Sequence, residues 1–241
     1  MQPLLRLDGI SKSFGALQVI DRLSLALGAG EALGIIGPNG AGKSTMFNLV
    51  TGDLRPSAGR ILFAGEDITA YPAHLRCRRG IGRSYQIPHP FSGMTVLENL
   101  LVAAVFGTGR REAACYGDCL DVLGRTGLLT KANLAAGGLT LLERKRLELA
   151  RALATGPKVL LLDEIAGGLT ESECQALIET IRSIHASGVS IIWSEHVVHA
   201  LLAVVSRLVV IDFGRRIAEG EPAAVMANPA VQEIYLGIEA A

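Results

Sequence analysis

Apolar and polar positions alternate with period two at Leu4 to Leu7 and again at Leu23-Ser24-Leu25-Ala26-Leu27, which predicts two half-buried strands near the N-terminus. A turn at Gly28 to Gly30 leads into a continuous apolar run, Ala32 to Ile36, that reads as a short buried strand ending in a glycine-rich segment. From Lys43 onward Met46, Leu49 and Val50 fall on one face of a helix. Arg60 to Phe63 reads as a further strand after the turn Pro56-Ser57-Ala58-Gly59. Between about 88 and 137 the period changes. Leu97, Leu100, Leu101 and Ala104 keep helical spacing and Leu120 and Leu123 continue it, but Gly124 and Gly127 interrupt it before Leu128, so this last stretch stays ambiguous.

The strand–helix pattern then resumes. Glu143 to Ala154 is helical, Val159-Leu160-Leu161-Leu162 is a buried strand, and Glu171 to His185 is an amphipathic helix with Leu177, Ile181 and Ile184 in line. Thr170 followed by Glu173 gives that helix a capping box. Val189 to Trp193 is a second buried strand, and Leu208 to Phe213 with Arg216 to Ala218 flank Gly214 as a hairpin. Alternating strands and helices predict an α/β fold with a mostly parallel core sheet, interrupted by a mostly helical insert that spans about 88–155 when the helix Glu143 to Ala154 is counted with it. Ligands of such sheets bind at the carboxyl ends of the strands. The glycine loop, Asp163 and His196 all fall just after buried strands, so the three converge on one edge.

Composition narrows the class. The 241 residues are 49% hydrophobic and 19% charged, enough for a substantial core in a single domain. A formal net charge of zero argues against a nucleic-acid partner, whose binder would carry a basic footprint. The local basic cluster Arg76, Arg78, Arg79 and Arg83 reads as a solvated surface. Cysteines at 77, 115, 119 and 174 lack zinc-ligand spacing and read as reduced thiols. No apolar run reaches the roughly 18 residues needed to span a bilayer, and the N-terminus has no signal-peptide pattern, so a membrane role is expected to come through a partner.

The strongest chemical signal is Gly37-Pro38-Asn39-Gly40-Ala41-Gly42-Lys43-Ser44-Thr45. Its glycines let backbone N–H groups turn onto a polyphosphate at a helix N-terminus; Lys43 would reach the terminal phosphates and Ser44 would offer a hydroxyl to Mg2+. Strand before and helix after satisfy the structural context of that loop. Asp163 is delivered to a strand end by four aliphatics and suits a metal held through water, with Glu164 beside it to polarise an attacking water. His196 follows the second buried strand as a γ-phosphate contact, and Gln86, in Arg83-Ser84-Tyr85-Gln86, would ligate Mg2+ where the core gives way to the insert.

In their order and approximate spacing these residues resemble the ATP-binding cassette (ABC) family over nearly the whole chain. That resemblance implies a P-loop NTPase core with an N-terminal antiparallel β-subdomain and a helical subdomain, ATP and Mg2+ as cofactors, and Phe14 as the aromatic that stacks on adenine. Phe47 to Gly52, Thr95 to Ala103 and Asn228 to Gly237 are similar to the cassettes of branched-chain amino acid importers. The implied partners are transmembrane permease subunits, a second cassette and, indirectly, a solute-binding protein. The implied location is peripheral, on the cytoplasmic face of the inner membrane.

One motif departs from the family. Where its signature reads Leu-Ser-Gly-Gly-Gln, this chain has Leu139-Thr140-Leu141-Leu142-Glu143. Thr140 and Glu143 can still box the helix start, but both glycines are replaced by leucines; Gly137-Gly138 is a shifted substitute only if the helix gains a turn. Ile165 also stands where the family has proline, and Thr170 near its polar dimer contact. In family dimers each ATP lies between one subunit's phosphate loop and the other's signature. Losing one or two charge-assisted hydrogen bonds there would slow the partner's site by about ten- to several-hundredfold. The expectation is an asymmetric heterodimer. Rival readings are a regulatory subunit with little hydrolysis of its own, a non-transport cassette protein of DNA repair or translation, and a simple kinase. Only the first shares all the motifs within 241 residues.

Overall fold

The computed structural model describes residues 2–236. In chain order the elements are β1 (Leu5–Phe14), β2 (Leu17–Leu27), β3 (Ala32–Ile36), α1 (Lys43–Thr51), β4 (Ala58–Phe63), β5 (Glu66–Asp67), α2 (Ala73–Arg79) and β6 (Ile81–Ser84). Three helices follow, α3 (Val96–Thr108), α4 (Tyr116–Arg125) and α5 (Leu141–Ala154). The chain then returns through β7 (Val159–Asp163), α6 (Glu171–Ala186), β8 (Ser190–Ser194), α7 (Val198–Leu202), β9 (Arg207–Asp212), β10 (Arg215–Gly220), α8 (Pro222–Met226) and α9 (Pro229–Leu236).

The strands form two sheets. A four-stranded antiparallel sheet runs β2-β1-β4-β5, and a six-stranded sheet runs β10-β9-β3-β8-β7-β6. Pairing in the second is parallel from β9 to β6, with β10 added antiparallel as a hairpin. Its residues alternate between two cores. Leu33, Ile35, Val159, Leu161 and Ile192 face the antiparallel sheet and α1. Ala32, Ile36, Leu160, Leu162, Ile191 and Trp193 face the helices of the other layer. Burial on both faces explains why these strands read as continuous aliphatic runs.

The first two strands are longer than their alternation predicted. β1 and β2 shift register between Leu7 and Ile10, Ile10 and Lys12, and Lys12 and Ser13. Each irregularity resets which side faces the core, so period two survives only at the strand ends nearest Leu5 and Leu27. The ambiguous stretch before Leu128 is helical: Gly124 lies inside α4, and Gly127 at φ +71° follows its end. Thr-x-x-Glu capping boxes start α3 (Thr95, Glu98), α5 (Thr140, Glu143) and α6 (Thr170, Glu173), the last two as predicted. The α5 helix begins two residues before the predicted Glu143.

The basic cluster is not the solvated surface expected from its sequence. Arg78 and Arg79 are exposed, but Arg76 is fully buried. Its Nη1 donates to the carbonyls of Leu49 (2.6 Å) and Val50 (3.0 Å), Nη2 to Thr69 (2.9 Å) and Nε to Tyr71 (2.9 Å). The guanidinium therefore satisfies carbonyls at the C-terminus of α1 that have no intrahelical partner. Burial pushes its pKa down to about 10. Gly52 ends α1 at φ +87°, where a Cβ would stand 2.8 Å from Arg76 Nε. The four cysteines are free thiols, and no described helix is long and apolar enough to cross a membrane.

Candidate nucleotide site

The site assembles at the carboxyl ends of β3, β6, β7 and β8. The loop after β3 carries Gly37 to Thr45 into α1. Gly37 packs so close to β9 that a Cβ would lie 2.1 Å from the Ile211 carbonyl oxygen. Gly42 is the N-cap of α1 at φ +102°, where a Cβ would meet Ile20 Cδ1 at 2.8 Å and the Val19 carbonyl at 3.0 Å. In contrast to the boxed helices, the start of α1 has no side-chain cap and no acid in its first turn. Its first N–H groups and the positive end of its dipole are thus offered to an outside anion. Asn39 to Thr45 line a cleft of about 480 Å³, with Leu17 and Val19 of β2 as one wall and Gln86 and Glu164 at the other.

Lys43 is buried, and its Nζ donates to the carbonyls of Gly37 (2.6 Å) and Pro38 (3.2 Å). Desolvation lowers its pKa, opposed by the charges of Glu164 and Asp163. Asp163, the last residue of β7, is buried, and its Oδ2 accepts from Arg83 Nη2 at 2.7 Å. Burial raises its pKa, with the Arg83 hydrogen bond and charge acting against that rise.

Glu164 is the hub of the remaining polar groups. Its Oε1 lies 2.8 Å from His196 Nε2, and its Oε2 accepts from Gln86 Nε2 at 2.5 Å. Its own N–H donates to the Ser194 carbonyl at 2.8 Å, and its backbone sits at φ +48°, an unfavourable region for a side-chain-bearing residue. Sustained strain of this kind at a carboxylate aimed into a cleft is characteristic of functional positions. The structure therefore brings Gln86, Glu164 and His196 into one polar cluster beside the glycine loop, although they are far apart in sequence.

Phe14 stands exposed at the end of β1, directly opposite Leu17 in the β1–β2 pairing, with Lys12 Nζ 5.1 Å from its ring centroid. It neighbours the cleft wall rather than lining the cleft itself. Leu139 to Glu143 lie elsewhere, at the start of α5, and none lines this cleft. Leu139 is buried and Leu141 about half exposed. The shifted reading of Gly137-Gly138 is corrected by the structure. Those glycines belong to a separate 3-10 turn, Ala136–Gly138, that closes before Thr140 caps α5, so they cannot form its first turn.

Two residues of the site escaped sequence reasoning. Arg83, placed in the surface cluster, is instead buried against Asp163. Glu195, passed over as part of a strand end, is buried and accepts from the Ala166 N–H (2.6 Å), Trp193 Nε1 (3.3 Å) and the His196 N–H (3.2 Å). Burial raises its pKa. It thereby ties the segment after Glu164 to the segment that carries His196. Adjacency to His196 is its one sequence signal; Arg83 has only its position three residues before Gln86.

The sequence profile described as "ABC transporter" matches residues 20–167. The chain belongs to this family. It is an ABC-type ATPase, a nucleotide-binding cassette. A second profile, "Branched-chain amino acid ATP-binding cassette transporter", matches residues 215–241. The high-affinity branched-chain amino acid transport ATP-binding protein BraF of Pseudomonas aeruginosa is 35% identical over 255 residues, covering 98% of each chain. The lipopolysaccharide export system ATP-binding protein LptB of Acidithiobacillus ferridurans is 34% identical over 244 residues, again covering 98% of each. Among solved structures, the ADP conformation of an ATP-binding cassette of an ABC transporter superposes with a TM-score of 0.90 at 31% identity, covering 99% of this chain and 100% of that one. Of the stretch Asn228 to Gly237 compared with importer cassettes, Gly237 lies outside the described residues.

Proposed function

We propose that this cassette hydrolyses ATP to drive import of branched-chain amino acids or similar small organic solutes, as one half of an unequal pair. The observation that carries the catalytic part is Glu164 held between Gln86 and His196 at the mouth of the glycine-loop cleft. In this reading the first-turn N–H groups of α1 and Lys43 hold the phosphates. Phe14 takes the adenine from the β1 side. Glu164 orients the attacking water and accepts its proton, and His196 contacts the γ-phosphate.

The donors fit Mg2+. Ser44 and Asp163 are hard oxygen ligands, and Gln86, with its amide nitrogen on Glu164, keeps its carbonyl oxygen for a metal. When bound there, Mg2+ would neutralise charge on the β- and γ-phosphate oxygens. Gln86 would also report the position of residues 88–155, which we take as a helical subdomain inserted in one cassette domain spanning 1–241.

Membrane association would come through permease subunits at the cytoplasmic face of the inner membrane. Tyr85, Ile87 and Phe91 support this, because they expose apolar surface on the segment that carries Gln86. A solute-binding protein would act through those subunits. The second cassette is inferred from Leu141 and Leu142. Thr140 and Glu143 keep the α5 start capped, but two leucines occupy positions where a partner's phosphate must come close. The chain's own loop is unaffected by that change, so the partner is expected to carry a normal signature. The same leucines favour a second reading, an ATP-binding regulatory subunit that does not turn over. ATPase assay of the assembled complex with Glu164→Gln separates the two. A loss of roughly a hundredfold or more, with ATP still bound, supports hydrolysis at this site; an unchanged rate supports the regulatory reading.

A further inference from the structure

Arg83 makes more contacts than a structural ion pair needs. It sits on β6, the edge strand, and its parallel pairing with β7 (Arg83 beside Leu161, Ser84 beside Leu162) lets its side chain reach Asp163 at the end of the neighbouring strand. Nη2 holds Asp163 Oδ2 at 2.7 Å, while Nη1 donates to Asn48 Oδ1 at 2.5 Å and lies 3.6 Å from Asp53 Oδ2. Tyr85 and Phe47 offer their rings to the guanidinium at 4.6 and 5.6 Å. One planar group therefore joins α1, β7 and the Tyr85-Gln86 segment. Its side chain and that of Asp163 are each only 6% exposed.

A carboxylate that serves a metal through water must present one oxygen in a fixed direction, and the groups bonded to its other oxygen set that direction. An arginine fork is suited to this because it binds in a plane at fixed angles, which a lysine ammonium cannot reproduce. We propose that Arg83 is the positioning residue of the Mg2+ site: it fixes Oδ2 of Asp163, leaving Oδ1 for the metal's water shell, and its stacking on Tyr85 links that orientation to the segment bearing Gln86. The inference rests on the reading of Asp163 as a metal-site residue.

The test is Mn2+ binding, followed by electron paramagnetic resonance, to the full chain saturated with a non-hydrolysable ATP analogue. Nucleotide affinity is measured in parallel with the metal chelated. Arg83→Lys should weaken Mn2+ binding about tenfold or more, in the range known for residues that support metal ligands, while metal-free nucleotide affinity changes less than about twofold. Tyr85→Leu, which leaves the ion pair and removes only the half-exposed ring, should shift Mn2+ affinity in the same direction by a smaller factor, and it decides the matter if Arg83→Lys does not fold. Unchanged Mn2+ affinity in the folded variants overturns the proposal. Equal losses with and without metal also overturn it, because they indicate general distortion of the cleft. Asp163→Asn separates the two levels. If it fails to weaken Mn2+ binding, the metal-site reading falls and the role of Arg83 with it; if it weakens binding and Arg83→Lys does not, only the role of Arg83 falls.

Discussion

Replacing Arg76 with methionine keeps most of the side-chain volume and removes the group that closes the end of the phosphate-loop helix. Four backbone carbonyls lose a charged donor. Those of Leu49 and Val50 are bonded in buried surroundings, whereas Thr69 and Tyr71 lie where the contact is only partly buried, so water can replace the donor there. An unsatisfied buried carbonyl costs about 1–3 kcal/mol, giving roughly 2–6 kcal/mol for the inner two. Relief of the desolvated guanidinium offsets part of this, and a net loss of about 3 kcal/mol is expected. For a chain of this size that corresponds to a fall in Tm of about 6–12 °C. Urea unfolding of the natural chain, Arg76→Met and Arg76→Lys measures it directly. The lysine variant should fall between the other two, because an ammonium reaches fewer of the four carbonyls. A loss below about 1 kcal/mol in Arg76→Met would show that these bonds contribute little, and the account of how α1 is terminated would be wrong.

Two further outcomes follow from the geometry. Gly42→Ala places a Cβ at φ +102° and within 3.0 Å of both Ile20 and Val19, so it should abolish detectable ATP binding by equilibrium fluorescence and lower stability by about 1–3 kcal/mol; near-normal binding would contradict the packing described. Glu195 has its carboxyl pKa raised by burial, so its stabilising contribution is full below its ordinary value of 4.5 and is lost as pH rises through the higher folded value. Glu195→Gln should therefore gain Tm relative to the natural chain as pH rises from mildly acid to neutral, and parallel melting curves across that range would refute the assignment.

The parallel character of the core sheet and the edge that carries the candidate site were legible because the parallel strands are buried on both faces and end in distinctive residues. The glycine loop, Asp163-Glu164 and His196 each lie at the end of such a strand. β6 was not legible: Ile81-Gly82-Arg83-Ser84 has no aliphatic run, and its identity as a strand depends on pairing with β7. The arginine cluster failed for a related reason. Charge spacing cannot distinguish a solvated guanidinium from one that caps a distant helix, as Arg76 does, or pairs with an acid from a neighbouring strand, as Arg83 does. The meeting of Gln86 with Glu164 was equally invisible, since it is set by strand order across a long insert. Capping boxes at Thr140 and Thr170, by contrast, act within four residues and were readable directly.

The unequal-motor account stands on Leu141 and Leu142 at an otherwise well-capped helix start. Its most direct test is the steady-state ATPase rate of the purified chain alone, compared with Leu141→Gly/Leu142→Gly. The account predicts that the natural chain binds Mg-ATP yet turns over slowly, and that the double variant, with Thr140 still capping α5, gains about tenfold or more as a homodimer. Robust ATPase activity from the natural chain by itself, unchanged in the double variant, would contradict it.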